Sequence, residues 1–351
     1  MISDSVKKIP ALRGVINFLI SVGLAVLFLY LAFSDVNFSE VMELVSQASL
    51  LWIIIFAASI MLGHYIRALR WKYILHSVKP DVKMWNLFGA LMIGYGVNCV
   101  TPKLGEVTRA IMIGRYENLS RSSMFGTVIV ERVIDIISMG SAVLISAFIW
   151  SSSLYEAFPW LKATLYISAI ILFVVLLMIY LSIKLKEKFY GYLLSLIRKV
   201  SFSLADRLGY IFEMLIQGFT TLKGSKNIIL TFITSVLILL VYALTSYFGF
   251  FMLHIQSGSN VTFAMGWIVM SISAIGVVIP TPGATGSYHA LAKSTLVLLF
   301  GFGETISAAY AFLTHIISYF LFIILAFIMY FVLNKQQASL LNIFKSNSEE
   351  K

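Results

Sequence analysis

The chain has 351 residues and a formal net charge of +10, with 60% hydrophobic residues, 12% charged residues and a mean hydropathy of +0.92. Because a soluble domain carries about 25% charged residues, this composition excludes a protein with a wholly water-facing surface. Apolar runs of roughly 18 residues or more can cross a hydrocarbon core of ~30 Å, and their backbone groups must then bond within helices. The sequence therefore predicts an all-α, polytopic membrane protein.

The hydropathy pattern predicts six full spans. In chain order they are expected at 14–33, at 50–66 with a continuation as far as His76, at 123–149, at 162–183, at 228–254 and at 305–333. The mixed segment 186–224 favours one or two amphipathic helices on the membrane surface, and a solvated linker is the alternative. Residues 336–351 are expected to form a flexible cytoplasmic tail.

The basic residues alternate between the loops. Lys and Arg are numerous in 67–121 and in 184–226, whereas the loops after the first span, at 150–161 and at 255–262 contain none. By the positive-inside rule, both termini are expected in the cytoplasm of a prokaryotic plasma membrane. The net positive charge then faces anionic lipid headgroups, and without a basic, aromatic-rich module no nucleic-acid partner is expected.

Two further apolar segments are interrupted by proline and are predicted to be re-entrant helix pairs. The pair 86–115 is broken at Pro102, and because basic residues flank it on both sides, it must return to the side that it left. The same reasoning gives a pair at 263–301, broken at 280–283. Two ordinary spans in each place are the alternative.

The sequences around the two breaks resemble each other. T-P-K-L-G-E-V-T-R-A at 101–110 and T-P-G-A-T-G-S-Y-H-A at 281–290 share Thr, Pro and the final Ala, and Arg109 falls opposite His289. Residues 1–160 and 161–335 are therefore predicted to be repeats of inverted topology. Such repeats are typical of transporters whose site lies between broken helices.

Charged side chains in apolar helices are costly and indicate a function or a pairing. The predicted substrate-binding residues are Glu106, Arg109, Glu131, Arg132 and Asp135, together with Asn98, His289 and Lys293. Glu131 and Asp135 share a helix face, and the planar guanidinium of arginine suits phosphate. A structural ion-pair network is the alternative for these charges. For His289, Lys293 and His315, substrate contact, a proton role and simple packing stay open.

Prolines and glycines are expected to shape the two breaks. These structural residues are Pro102, Gly105, Pro280, Pro282, Gly283 and Gly286. Backbone N–H groups at helix starts after such turns attract anions, and a simple turn is the alternative. Arg67, Arg70 and Trp71 are expected to anchor the end of the second span at the membrane interface, and a role in binding lipid phosphate is the alternative. Tyr288 and Tyr310 are expected to serve packing.

The sequence motifs of ATPases, zinc proteases and serine hydrolases are missing from the chain. It has no Walker A, H-E-x-x-H or G-x-S-x-G motif, and Cys99 is the only cysteine. No ATP-driven pump, no metal site and no cofactor are therefore expected.

Four motifs together resemble a known family. They are N-x-x-x-P-x-x-G-E-x-x-R (Asn98, Pro102, Gly105, Glu106, Arg109), E-R-x-x-D (Glu131, Arg132, Asp135), P-x-P-G-x-x-G (Pro280, Pro282, Gly283, Gly286) and R-x-x-R-W (Arg67, Arg70, Trp71). In this order, over nearly the whole chain, they resemble the flippase-like transmembrane region of lysylphosphatidylglycerol synthases.

The resemblance implies an integral-membrane lipid translocase. In bifunctional members this region moves an aminoacylated phospholipid between leaflets, and a separate soluble domain makes that lipid. The chain is accordingly expected to be a stand-alone member without the synthase domain. His289 and His315 depart from the family pattern, which often has an acidic residue at the first position and an arginine near the second, and this weakens the expectation of an aminoacyl-phosphatidylglycerol substrate.

The predicted function is therefore a flippase- or scramblase-like transporter of a polar-headgroup lipid, either a phospholipid or an aminoacylated or glycosylated lipid. Membrane lipids are the expected partners, and a separate lipid-synthesising enzyme and a second copy of the chain stay open. One alternative is an intramembrane lipid-modifying enzyme with Glu106 or Asp135 as base. The others are a secondary transporter of a small solute or ion, and a receptor or scaffold.

Overall fold

The computed structural model describes residues 3–150, 155–163 and 224–349, with scattered positions between 166 and 209, and all regular structure within them is helical. The helices are α1 Ser3–Phe33, α2 Phe38–Ser46, α3 Leu50–Leu75, α4 Met84–Val100, α5 Leu104–Tyr116, α6 Arg121–Ile149, α7 Ser225–Met252, α8 Phe263–Val278, α9 Ser287–Phe300 and α10 Glu304–Glu349. The chain is thus an all-helical, polytopic membrane protein. The predicted span 162–183 and the predicted amphipathic segment 186–224 lie almost entirely outside the described residues.

Within the described ranges, four helices are long and apolar enough to cross a membrane. They contain the segments Val15–Phe33, Leu50–Leu75, Ser225–Met252 and Glu304–Lys335. These segments correspond to the first, second, fifth and sixth predicted spans. α6 matches the third predicted span in position, but Glu131, Arg132 and Asp135 interrupt its apolar run. α10 continues through 336–349, where the sequence predicts a flexible tail.

Large apolar side chains cover the outside of these helices. Phe148 is 89% exposed, and Leu50 and Phe327 are 70% and 64% exposed. In water such a surface would be unfavourable, whereas lipid tails solvate it. The exposed apolar surface therefore fits a chain that lies in a bilayer.

Both proline-containing segments are broken helix pairs. α4 and α5 are separated by Thr101–Lys103, and Lys103 adopts a positive φ of 67°. α8 and α9 are separated by the segment 279–286, in which a 3₁₀ turn, Pro282–Ala284, precedes Gly286 at φ 85°. Proline cannot continue a helix, and the positive φ values reverse the chain direction. Re-entry of these pairs into the membrane and the inverted repeat stay predictions.

Contacts divide the chain into two compact units. The first consists of Met1–Gly63, Leu91–Thr108 and Leu240–Lys351, and the second of His64–Ala90 and Arg109–Leu239. The predicted repeats, 1–160 and 161–335, are successive halves of the chain and are not the same as these two units. They stay a prediction.

The core of the first unit lies around Tyr310. This side chain is fully buried, and its hydroxyl donates a hydrogen bond to the Ser246 carbonyl oxygen at 2.5 Å. A Cβ at Gly249 would lie 2.6 Å from the Tyr310 ring, so α7 approaches α10 closely only because that position is glycine. The residues packed there include Phe250, Val269 and Leu296.

A buried carboxylate holds one end of the second unit together. Glu117, which follows α5, accepts hydrogen bonds from the Asn86 side chain at 2.7 Å and from the Lys83 backbone N–H at 3.2 Å. Its other oxygen lies 2.8 Å from Nζ of Lys79. The loop before α4 and the end of α5 are therefore joined through one side chain.

Replacing Glu117 by glutamine is expected to destabilise the protein by about 1–3 kcal/mol, because an amide N–H would face the Lys79 ammonium. Thermal unfolding of the purified protein in detergent measures the change. Glu156→Gln, at an exposed carboxylate in the same unit, is the matched control and is expected to stay within about 0.5 kcal/mol. Equal stability of the two variants would contradict the role given to Glu117.

Candidate functional site

The second unit contains a buried cluster of charged side chains from α3, α5 and α6. Arg67 and Arg70 are three residues apart on α3, and Glu131 and Asp135 are four apart on α6, so each pair shares a helix face. Nε of Arg67 lies 2.8 Å from Oε1 of Glu131, and its Nη2 contacts Asp135. Nη2 of Arg70 contacts Asp135 and lies 3.3 Å from Glu131. Two arginines thus join α3 to α6.

Arg109 and Arg132 complete the cluster. Nη1 of Arg109, on α5, lies 2.6 Å from Oε2 of Glu131. Nη2 of Arg132 lies 3.2 Å from Asp135 and 3.6 Å from Glu131. The Glu131 side chain is fully buried, whereas those of Arg132 and Asp135 are 40% and 23% exposed. The cluster is therefore closed around Glu131 and open beside Arg132.

Arginine predominates among the charged side chains of this cluster. Among the described residues, four guanidinium groups surround two carboxylates. Nε of Arg70 is buried and has no hydrogen-bond partner within the described part of the chain. Buried charges require a partner, because desolvation of an ion is unfavourable. The arrangement therefore suits an added anion.

Trp71, Thr127 and Ser235 hold the arginines in place. The indole N–H of Trp71 donates to Oγ1 of Thr127 at 3.0 Å, and the Arg109 guanidinium lies 4.9 Å from the centre of the Trp71 ring. Nη1 of Arg70 donates to Oγ of Ser235 at 3.3 Å. These contacts orient the guanidinium planes toward the carboxylates.

The structure corrects the role predicted for Arg67, Arg70 and Trp71. Their side chains were expected at the membrane interface, but they are 7%, 1% and 0% exposed and belong to the cluster. The three-residue spacing of the two arginines was the signal available in the sequence, because it places both on the helix face that α6 covers.

Asn98 and Glu106 lie in the first unit, at the first break. The Asn98 side chain accepts a hydrogen bond from the Gly105 N–H at 2.8 Å and donates one to Glu106 at 3.3 Å. A Cβ at Gly105 would overlap the Gly94 carbonyl oxygen and lie 2.7 Å from Asn98. Asn98 therefore braces the turn after Pro102, and Gly105 allows α5 to pack against α4.

His289 lies at the second break, where it contacts His315. The Gly286 N–H donates to Nδ1 of His289 at 3.2 Å, and Nε2 of His315 lies 3.0 Å from the Gly283 carbonyl oxygen. The ring centres of the two histidines are 4.4 Å apart. Each imidazole therefore holds one backbone group of the turn between α8 and α9.

Lys293, predicted to bind substrate, is 7% exposed and forms an ion pair with Glu304 at 2.8 Å. Glu304 begins α10 and was not singled out in the sequence, because nothing local links it to Lys293. Within the described ranges, no three His, Cys, Asp or Glu side chains are close enough together to hold a metal ion.

The two breaks meet within the first unit. The Tyr319 hydroxyl donates to the Cys99 carbonyl oxygen at 2.9 Å, and Nζ of Lys103 donates to the Val278 carbonyl oxygen at 3.3 Å. A Cβ at Gly283 would lie 3.4 Å from Cα of Cys99 and 2.6 Å from the Tyr319 ring. The turn after α8 therefore packs directly against the end of α4.

Comparison with known proteins identifies related sequences. The family described as lysylphosphatidylglycerol synthase TM region matches residues 18–326. A UPF0104 membrane protein of Methanothermobacter thermautotrophicus is 30% identical over 140 residues, which make up 37% of this chain and 40% of that protein. A UPF0104 membrane protein of Pyrococcus horikoshii is 26% identical over 321 residues, 86% of this chain and 92% of that protein. No solved structure matches the chain.

Proposed function

We propose that this chain, which belongs to the lysylphosphatidylglycerol synthase transmembrane-region family, moves a polar-headgroup lipid between the leaflets of a membrane. The observation that carries the proposal is the arginine-rich cluster, in which the buried Nε of Arg70 has no hydrogen-bond partner among the described residues. A lipid phosphate is an anion that a membrane supplies on both of its faces. The loop charges favour a prokaryotic plasma membrane with both termini in the cytoplasm.

The chemistry of the cluster suits a phosphodiester. The planar guanidinium of arginine can donate two parallel hydrogen bonds to two phosphate oxygens, which a lysine ammonium cannot do. Arg132, at 40% exposure, is the arginine that a headgroup reaches first. The adjoining Asp135 carboxylate, at 23% exposure, would accept hydrogen bonds from an amine or a sugar hydroxyl of the same headgroup.

The surface beside the cluster suits lipid tails. On α6, Ile136 follows Asp135 directly and is 59% exposed, and Leu144 and Phe148 are 56% and 89% exposed. A lipid can therefore place its headgroup at Arg132 while its acyl chains stay along the apolar surface of α6.

A leaflet-exchange assay tests the proposal. The protein is purified in mild detergent, its bound lipids are identified by mass spectrometry, and it is placed in liposomes that contain fluorescent phospholipids. Quenching from outside reports the label that leaves the inner leaflet. We expect one phospholipid class to be enriched and exchanged, and Arg132→Gln to slow that exchange at least about tenfold, as loss of one charge-assisted contact of ~1.5–3 kcal/mol predicts.

Arg115→Gln is the matched control, because Arg115 is exposed on α5 and its loss removes the same charge outside the cluster. Equal exchange rates for Arg132→Gln, Arg115→Gln and the unmodified protein would remove the cluster from the mechanism. The absence of any exchange above empty liposomes, with and without imposed gradients, would overturn the proposed function. Chemical conversion of the bound lipid would support an enzyme in its place.

A further inference from the structure

The two histidines at the second break have defined hydrogen positions. His289 accepts the Gly286 N–H at Nδ1, so its own hydrogen lies on Nε2. His315 faces the Gly283 carbonyl oxygen with Nε2, so it donates from that nitrogen and keeps Nδ1 as its basic position. His289 is therefore neutral in this arrangement, whereas the bond from His315 to Gly283 forms whether or not Nδ1 of His315 carries a proton.

The two histidines together can bind one added proton but not two. The ring centres are 4.4 Å apart, so two imidazolium charges would repel each other strongly. A proton on Nδ1 of His289 would also displace the Gly286 N–H, whereas a proton on Nδ1 of His315 leaves the bond to Gly283 intact. His315 is therefore the expected proton carrier of the pair.

Aromatic rings beside His315 offset part of the cost of placing a positive charge there. The rings of Tyr288 and Tyr319 lie 5.8 Å and 5.7 Å from it, with interplanar angles of 34° and 33°. Aromatic faces at this distance attract a cation. On the other side of the pair, the Phe33 ring lies 5.7 Å from His289.

The elements packed around the pair contribute further titratable or charged groups. They are Tyr30 on α1, Glu40 and Glu43 on α2, Cys99 and Lys103 beside the first break, Tyr288 and Lys293 on α9, and Glu304, Tyr310 and Tyr319 on α10. The three tyrosine hydroxyls of α9 and α10 are hydrogen-bonded, and Lys293 and Glu304 neutralise each other. Histidine is the side chain in this set whose charge normally changes between pH 5 and 8.

We infer that the His289–His315 pair binds one proton and that uptake and release of this proton are coupled to lipid movement. The inference rests on the proposed function and names its driving ion. The proton enters from water onto Nδ1 of His315 and returns to water, so no covalent bond of the chain is made or broken. Embedded histidines of this kind are typical of proton pathways in transporters.

The position of the pair allows a proton to act on both breaks. His315 holds the Gly283 carbonyl, and Gly283 packs against Cys99 at the end of α4. Tyr319, whose ring lies beside His315, donates its hydroxyl hydrogen to the Cys99 carbonyl. A charge on His315 therefore changes the contact between the second break and the first.

Two variants remove the titrating groups and keep their backbone bonds. In His289→Asn the side-chain oxygen takes the place of Nδ1 and accepts the Gly286 N–H. In His315→Gln the side-chain amide takes the place of Nε2 and donates to the Gly283 oxygen. His76→Gln is the matched control, because His76 is exposed and lies in the other unit.

The first measurement is a pH titration of ¹⁵N-histidine spectra of the whole protein in detergent, for the unmodified protein and each variant. We expect His289 and His315 to show Nε2–H tautomers at high pH, and His315 alone to gain a proton as pH falls. His289→Asn should keep this single protonation, because His289 stays neutral and only His315 takes up the proton. Two independent protonations, or none down to the pH of unfolding, would overturn the inference.

The second measurement is lipid exchange in liposomes of phosphatidylethanolamine and phosphatidylglycerol, with and without a pH gradient. The unmodified protein and His76→Gln are expected to exchange lipid severalfold faster with the gradient, and the double variant His289→Asn, His315→Gln to show no gradient effect. Exchange that ignores the gradient in the unmodified protein would overturn the coupling and leave the proposed function standing. Failure to exchange any lipid would overturn the proposed function, while the histidine titration still decides whether the proton site exists.

Discussion

Glu131→Gln is expected to destabilise the protein by about 3–5 kcal/mol, the range for removal of one partner from a buried ion pair. The Glu131 side chain is fully buried and pairs with Arg67 at 2.8 Å and Arg109 at 2.6 Å. Glutamine keeps the shape but not the charge, so Arg67 and Arg109 each lose their ion pair with residue 131. Thermal unfolding in detergent, followed by circular dichroism and by aggregation, measures the loss.

The double variant Glu131→Gln, Arg109→Gln is the control for this prediction. It removes one negative and one positive charge, so the net charge of the protein is unchanged. We expect the double variant to be less destabilised than the sum of the single variants, because residues in one ion-pair network couple by about 0.5–3 kcal/mol. Strict additivity would show that the two side chains do not interact, contrary to the 2.6 Å distance between them.

Gly286→Ala is expected to destabilise the protein by about 2–5 kcal/mol, from backbone strain and overpacking together. Gly286 has φ 85°, and a Cβ there would lie 2.5 Å from the Ala25 carbonyl oxygen and 2.8 Å from Cβ of Phe28. The Ala25 oxygen belongs to the backbone of α1 and Cβ of Phe28 is bonded directly to it, so neither atom can move away freely. Unfolding in detergent gives the size of the effect.

Gly301→Ala separates the two causes. Gly301 has φ 69°, but a Cβ there would meet nothing within 4 Å, so only backbone strain of about 1–2 kcal/mol is expected. The difference between the two variants measures the close approach of the second break to α1. If Gly286→Ala destabilised the protein no more than Gly301→Ala, the close packing of Gly286 against α1 would be contradicted.

The sequence predicted those parts of the fold that depend on local patterns. The second span, predicted at 50–66 with a continuation to His76, is α3 Leu50–Leu75, because one apolar run carries the helix through Arg67 and Arg70. The helices end beside Pro102 and Pro280, since proline prevents continuation. The nine-residue α2, capped by Asn37, was missed because it is too short to give a hydropathy signal.

The candidate site could be predicted only in part. Arg109, Glu131, Arg132 and Asp135 were singled out because charge in an apolar helix is costly, and the structure brings them together in one cluster. Arg67 is 64 residues from Glu131 in the chain, so their contact left no local trace beyond its spacing from Arg70. The pairing of Lys293 with Glu304 could not be predicted either, because it joins two helices and sequence periodicity describes one helix at a time.

The ion pairs between α3, α5 and α6 also bear on how the protein enters the membrane. On insertion scales, each charge at the centre of a helix costs about 2.5–3.5 kcal/mol, so α6 with Glu131, Arg132 and Asp135 inserts poorly alone. Arg67, Arg70 and Arg109 all precede α6 in the chain and are synthesised before it. The counterions of α6 are thus already synthesised when α6 leaves the ribosome. We therefore expect insertion of α6 to depend on α3, with tertiary folding beginning during translation.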